Sequence, residues 1–335
     1  MASLSSCRVL LSNNTTGSGS SSSSRILPKN ALTKAVSCRQ DSPYSFCRIN
    51  KTNSRNFRSS LTTCCASTSM AAAVPRAIVI GAGGRVGNAL AAMNPEGNDV
   101  LVKRGESVPA DAPPGPIVVC TRNDVLEDII KATPADRRED LVFIQNGMLQ
   151  PFLDAQGIGA NTQALIYFAV AKFGEAPTDG VTDLNPEGLT SVTGKHADAI
   201  AARLKHGNLA CHILDADAYK VRMLEKLIWI SAFMLVGARH EGSTVGDVES
   251  KYSDEVRSLI NELAAGTSAT DPSVTFGADV ADRLCAYARS VAHFPTAVKE
   301  FEWRNGYFYG ISQKSSGGAD PFPTHTAWLK EVGAI

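Results

Sequence analysis

From residue 76 onward, short apolar runs alternate with polar breaks that carry glycine, proline or asparagine. Arg76-Ala77-Ile78-Val79-Ile80 is a β-rich run that ends at a glycine, and residues 99–102, 117–120 and 141–144 repeat the pattern. The last of these stops at Gln145-Asn146-Gly147. Continuous apolar strands of this kind suit a parallel sheet covered on both faces. Helical stretches at 88–93 and 125–131 separate them, with a proline-rich loop over 109–116. Strands alternating with helices predict an α/β domain with a doubly wound parallel sheet. Residues 164–173 and 188–193 read as further strands, and 196–204 as a helix. After Ala216 the strand pattern ends. Residues 217–239, 253–265 and 276–291 read as helices, with Asp254 and Glu255 in a first turn, where the helix dipole favours acids. The expected organisation is a sheet domain over 74–215 and an all-helical C-terminal domain over 216–312. A tail follows over 313–335, of a kind usually mobile unless docked.

Composition changes the picture mainly at the N-terminus. The chain has 335 residues, with 33 Lys and Arg against 33 Asp and Glu. Residues 1–70 carry nine of the basic residues, a single acid (Asp41) and 18 serines. Serine-rich, arginine-bearing and acid-poor is the composition of an organelle transit peptide. Such a segment is too polar to bury a core and reads as disordered. Thr62-Thr63-Cys64-Cys65-Ala66 looks like a processing site, so residues 1–66 are expected to direct the chain to the chloroplast, with the mitochondrion second. Residues 71–335 keep 24 basic against 32 acidic residues, a net charge of −8. That argues against nucleic acid as the main partner, because phosphate binding needs a basic face. The longest apolar run, 227–238, is too short to span a bilayer. Cys120, Cys211 and Cys285 are too far apart for a disulfide framework, which fits a reducing plastid stroma. The six histidines lack HxH or HExxH spacing, so no metal site is expected.

Candidate chemistry begins at Gly81-Ala82-Gly83-Gly84-Arg85-Val86-Gly87, between a strand and a helix. Glycines there let the backbone approach a pyrophosphate, and a helix N-terminus offers free N–H donors. The register fits GxxGxxG through Gly81, Gly84 and Gly87 better than GxGxxG. The strand–turn–helix context makes the sheet Rossmann-like and points to a dinucleotide. Where an NAD site usually places an acid at the end of the second strand, this chain has Lys103-Arg104. A guanidinium pairs with a 2′-phosphate that a carboxylate would repel. The cofactor is therefore read as NADP(H), held by Gly81, Gly83, Gly84, Arg85, Val86, Gly87, Lys103 and Arg104.

Three later segments, in order, resemble the ketopantoate reductase (2-dehydropantoate 2-reductase) family. Phe143-Ile144-Gln145-Asn146-Gly147 resembles its strand-end QNG. Leu224-Glu225-Lys226-Leu227 resembles its W-x-K-L helix, with leucine in place of tryptophan. Glu300-Phe301-Glu302-Trp303-Arg304-Asn305-Gly306 resembles its E-x-D-x-x-N-G segment. The resemblance covers nearly all of 76–312. It implies reduction of a small 2-oxo acid by NADPH, with Lys226 as general acid and Glu300 and Asn146 as its catalytic companions. Arg122 stands where the family has a lysine that reaches the cofactor or substrate. Glu302 replaces a nearby aspartate.

This chain also departs from the family. Two asparagines that bind substrate, four and eight residues after the lysine, are here Ile230 and Met234. The serine expected before the glutamate falls at Ala288, with Ser290 as its replacement. The expected pocket is therefore more apolar than in a ketopantoate reductase, and ketopantoate is not expected to be the best substrate. The glycine loop is also similar to that of dihydrodipicolinate reductase, but no matching histidine-lysine segment follows. The rival reading is an NADP(H)-binding plastid sensor or assembly protein that no longer catalyses. Either reading allows a homodimer.

Overall fold

A computed structural model of the chain describes residues 73–315 and 318–335. The expected transit segment and its processing site lie outside the described residues. Seven strands form one sheet: β1 Ile78–Ile80, β2 Val100–Val102, β3 Ile117–Val119, β4 Leu141–Phe143, β5 Gln163–Leu165, β6 Ser191–Thr193 and β7 His212–Ile213. Their order is β2-β1-β3-β4-β5-β6-β7. The first five are parallel, β6 runs antiparallel to β5, and β7 is parallel to β6. The sheet is thus parallel except at one junction.

The helices are α1 Arg85–Ala92, α2 Leu126–Ala132, α3 Gln150–Ala155, α4 Ala197–His206, α5 Ala216–Arg239, α6 Val245–Lys251, α7 Ser253–Thr270, α8 Val280–Ser290, α9 Asn305–Lys314 and α10 Pro323–Glu331. Side chains on a strand alternate between faces. Ala77, Val118, Val142 and Ala164 therefore meet Leu90 of α1 and Ile200 and Leu204 of α4 on one face. Ile78, Ile117, Val119, Leu141 and Phe143 meet Leu126 and Ile130 of α2 and Leu153 of α3 on the other. Arg203 of α4 ties the layers together, pairing with Asp99 beside β2 and donating to the carbonyl oxygens of Leu90 and Pro75.

The helical part is organised around α5. Asp215 caps it by accepting from the Ala218 amide at 2.8 Å. Every residue from Leu224 to Gly237 is buried. A helix buried on every side must be covered all round, and α6, α7, α8 and α10 pack against it.

The structure corrects several expected elements. The strand expected over 164–173 ends at Leu165, beyond which the chain leaves the sheet and frees its backbone for other partners. The strand over 188–193 shortens to β6. The helix over 276–291 starts at Val280, after a turn closed by Gly277. Among the described residues no strand follows β7. The C-terminal tail is docked, because Phe322 and Leu329 are fully buried and His325 Nε2 donates to Asn305 Oδ1 at 2.9 Å. No helix of the described residues is long and apolar enough to cross a membrane.

Candidate active site

The glycine loop follows β1 and turns into α1. Gly81 has a φ of +82°, which favours glycine, and its amide donates to the Val102 carbonyl at 2.9 Å. A Cβ on Gly87 would lie 2.4 Å from the Gly81 carbonyl oxygen, so α1 meets the loop only through a glycine. Above Gly83 there is open space. Gly84 stands at the N-terminus of α1 with no side chain capping it, so the first amides of the helix are free to meet an anion. The cradle suits a pyrophosphate.

The side chains expected around it divide. Lys103 and Arg104 stay exposed at the end of β2 and form no ion pair among the described residues. The Lys103 amide donates to Glu106 at 2.7 Å, which folds the loop back on itself. Arg85 is turned away from the loop and donates to the carbonyls of Ala171 at 2.9 Å and Val170 at 3.3 Å. The anion donors here are backbone amides, and Arg85 instead ties α1 to the segment after β5.

A cleft of about 250 Å³ runs from the loop along the carboxyl ends of the strands, lined by Val86, Cys120, Arg122, Asn146, Phe168 and Glu300 among others. In an open α/β sheet this is where ligands bind. Gln145 bridges β4 to β3 by donating to the carbonyls of Val119 at 2.7 Å and Thr121 at 3.2 Å. Buried Asn123 donates to the Asn146 carbonyl at 3.0 Å, so the QNG turn is held from two sides. Arg122 is exposed and pairs with Asp124.

Beyond Asn146, Ile166 and Phe168, which line both, a second cavity of about 240 Å³ opens against α5. Lys226 points into it and is only 6 % exposed. Its ammonium donates to the Ile166 carbonyl, one of the backbone groups released where β5 stops, and lies 4.5 Å over the Tyr167 ring. Burial, helped by the nearby Arg304 charge, lowers its pKa from 10.5 to about 7. Ile230 and Met234 also line this cavity, one and two turns along α5, with Trp229, Tyr287, Phe294, Lys299 and Arg304.

Three expected site residues are placed otherwise. Ser290 is exposed at the end of α8, and its hydroxyl donates to the Tyr287 carbonyl at 2.7 Å instead of reaching the cavity. Glu302 is exposed, because its neighbour Trp303 is docked against Gly147 and stacks edge-on with Phe152. Gly147 has a φ of +111°, and a Cβ there would lie 2.5 Å from the Trp303 carbonyl oxygen. Glu300 lines the cleft rather than the Lys226 cavity, and it pairs with Arg304. Arg304, Trp229 and Tyr287 were not singled out from the sequence. Only the charge of Arg304 inside the 300–306 motif signalled it.

No protein-family model matches the chain, and no curated protein matches it in sequence. Solved structures do match. The 2-dehydropantoate 2-reductase from Methylococcus capsulatus superposes with a TM-score of 0.56 at 14 % identity, over 78 % of this chain and 97 % of that one. A D-mandelate dehydrogenase, in a ternary structure with NADH and anilino(oxo)acetate, gives 0.55 at 13 %, over 77 % and 97 %. A ketopantoate reductase from Ralstonia eutropha JMP134 gives 0.55 at 15 %, over 76 % and 96 %. The chain shares their fold. At such low identities the similarity speaks for architecture, and the reaction has to be argued from the side chains.

Proposed function

We propose that the chain is an NADPH-dependent reductase of small 2-oxo acids with a pocket more apolar than that of a ketopantoate reductase. One observation carries the reading: Lys226, buried and with a pKa near 7, faces a cavity that adjoins the glycine-loop cleft at the strand ends. The named neighbours support it, since each is called a reductase or dehydrogenase of a 2-oxo or 2-hydroxy acid.

The glycine cradle and the first turn of α1 would hold the pyrophosphate, with Lys103 and Arg104 at the 2′-phosphate. When bound there, NADPH would supply the hydride to the keto carbon. Lys226 gives its proton to the keto oxygen as the C=O bond becomes C–OH, and it takes a proton back from solvent. A pKa near the working pH suits that exchange. Asn146 borders both the cleft and the cavity, and in this reading it would hold the keto oxygen or the nicotinamide ribose. Ile230 and Met234 leave the cavity without the amides that would grip a substrate hydroxyl.

The test is NADPH oxidation by the chain from Ala66 with a panel of 2-oxo acids, and Lys226→Ala beside it. Turnover of at least one acid, lost in the variant while NADPH affinity is kept, supports the reading. Tight NADPH binding with no turnover of any acid supports a sensor or assembly role, the reading that Ile230 and Met234 favour. We further infer that residues 1–66 direct import into plastids. Import of the full chain into isolated chloroplasts, with cleavage near Ala66, tests this; uptake by mitochondria alone overturns it.

A further inference from the structure

The cavity beside Lys226 contains a second cation that the reductase chemistry leaves without a role. Arg304 enters from the residue before α9, with its side chain 13 % exposed. Its Nη2 donates to Glu300, while its Nε is buried without a partner among the described residues. A guanidinium carries five donors, and burying such a charge is costly unless those donors are met. The Trp229 Nε1, on the same cavity wall, is a second buried donor with no partner. Lys299 adds a third cation to the lining, and no acid lines this cavity. Three cations and two unpartnered buried donors, with no carboxylate in the lining, describe a site for an anion.

We propose that Arg304 is the residue that binds the substrate carboxylate, and that the cavity selects 2-oxo acids with an apolar side chain. This deepens the reductase reading and rests on it for the identity of the reacting group. A planar fork takes both oxygens of a carboxylate at once. The keto group of a 2-oxo acid is bonded directly to that carboxylate. Seating the acid on Arg304 therefore leaves its keto oxygen near the neighbouring cation, Lys226. The third substituent is left facing Trp229, Ile230, Met234 and Phe294, a wall with no free acceptor or amide. The 240 Å³ cavity corresponds to about eight water molecules of liquid volume, room for a small acid and little more.

Glu300 is then a positioning residue. It holds the guanidinium from the cleft side. Its backbone is left-handed, at φ 49° and ψ 49°, a conformation that is unfavourable for a non-glycine residue. Strain of this kind persists where the surroundings enforce it, often at binding sites. Here it turns the carboxylate back onto Arg304, four residues ahead.

The experiment uses the full chain with NADPH. Rates are measured for 2-oxo-4-methylpentanoate, for its methyl ester, and for hydroxypyruvate. Arg304→Gln should raise KM for the acid about 100-fold, the usual scale for losing one side of a buried charge pair, with little change in kcat/KM for the ester. Arg304→Lys should recover part of the loss, which also shows that the fold survives. Glu300→Gln should raise KM for the acid about fivefold and leave the ester unmoved, a split that a merely structural role would not give. The branched acid should exceed hydroxypyruvate in kcat/KM by about tenfold or more. Acid and ester falling together in Arg304→Gln overturns the anchor, and hydroxypyruvate as the better substrate overturns the selectivity. A reading without turnover separates this from the reductase assignment: 4-methylpentanoate, which has no keto group, should bind the NADPH-loaded chain in calorimetry. Arg304→Gln should weaken that binding tenfold or more. If the wild type reduces no acid yet shows this binding and its loss, the reductase reading fails alone. If the variant binds 4-methylpentanoate as tightly as the wild type, the anchor fails whatever the turnover.

Discussion

The two halves of the site solve opposite problems. In the proposed reading, recognition at the glycine loop is done by backbone, in the open, where Gly84 leaves the first amides of α1 free and Lys103 and Arg104 stand in water. At α5 it would be done by charged side chains buried among apolar ones, and Lys226 sits within an unbroken buried run from Leu224 to Gly237. The first half costs the fold little, because water already satisfies its donors until a ligand replaces it. The second half carries a desolvation cost in every molecule, with or without substrate. The difference separates binding from chemistry: a phosphate cradle needs shape, whereas a proton donor that works near neutral pH has to be made uncomfortable.

The largest expected effect tests that cost directly. Lys226→Met should lower turnover by about 10²- to 10⁴-fold, the usual share of a general acid, while stabilising the protein by about 1–4 kcal/mol, as replacing buried ionic groups with apolar ones often does. The gain should depend on pH. Because burial lowers the folded-state pKa to about 7 from 10.5, the unfolded chain holds a proton that the folded chain has released anywhere between those values. Wild-type stability from this group therefore rises with pH across about 7 to 10.5, and is lowest below 7. The advantage of Lys226→Met in thermal melts should be greatest at pH 6 and shrink toward pH 10. An advantage that is flat with pH would mean that Lys226 is not desolvated. In wild type, kcat/KM for reduction should fall as pH rises through about 7, since the donor must be protonated.

Next come two changes in the backbone-built half. Gly87→Ala places a Cβ about 2.4 Å from the Gly81 carbonyl oxygen, so α1 has to move away from the loop. Overpacking of this kind costs about 1–3 kcal/mol, to be read as a lower melting midpoint in urea together with weaker NADPH binding. Arg104→Gln should leave stability alone, because the side chain is exposed. It should lower the preference for NADPH over NADH by about tenfold or more, the worth of a charge-assisted hydrogen bond. An unchanged preference would assign the 2′-phosphate to Lys103 or show that the cofactor is NADH.

The sequence made these halves legible to different degrees, for a physical reason. Strand β1, the loop and the start of α1 are contiguous, so Gly81, Gly84 and Gly87 could be read from spacing alone. The basic pair after β2 is also local to its strand end. The cavity draws on Ile166, Lys226, Tyr287 and Arg304, which no periodicity links, and resemblance alone pointed to Lys226. Ile230 and Met234 line the same cavity as Lys226, since the 3.6-residue helical repeat brings positions four and eight residues on to one face. Ser290 and Glu302 were misplaced because their alignment assumed a loop length and a side-chain direction that the docking of Trp303 and the end of α8 decide. The early end of β5 was hidden for a similar reason. Its residues stay apolar through Phe168, but they line a cavity instead of continuing a sheet. Arg304 escaped because a lone arginine in a motif reads as a surface residue until burial is known.

The smallest expected effect falls at Gly83, and it is the sharpest comparison with Gly87. Both glycines belong to one motif, four residues apart, and sequence alone assigns both to cofactor binding. The structure does not, since an added Cβ at Gly83 meets nothing within 4 Å. Gly83→Ala should therefore change stability by no more than about 0.5 kcal/mol, the range of an ordinary surface substitution. The open space above Gly83 is also where a pyrophosphate would approach the cradle, so a methyl group there should interfere with the ligand instead of the fold. The expected result is an unchanged urea midpoint with NADPH bound several-fold more weakly. Loss of stability in Gly83→Ala would show that the loop closes more tightly than its geometry indicates. Unchanged stability and unchanged NADPH affinity would place the phosphates away from Gly83 and leave Gly81, Gly84 and the first turn of α1 to hold them.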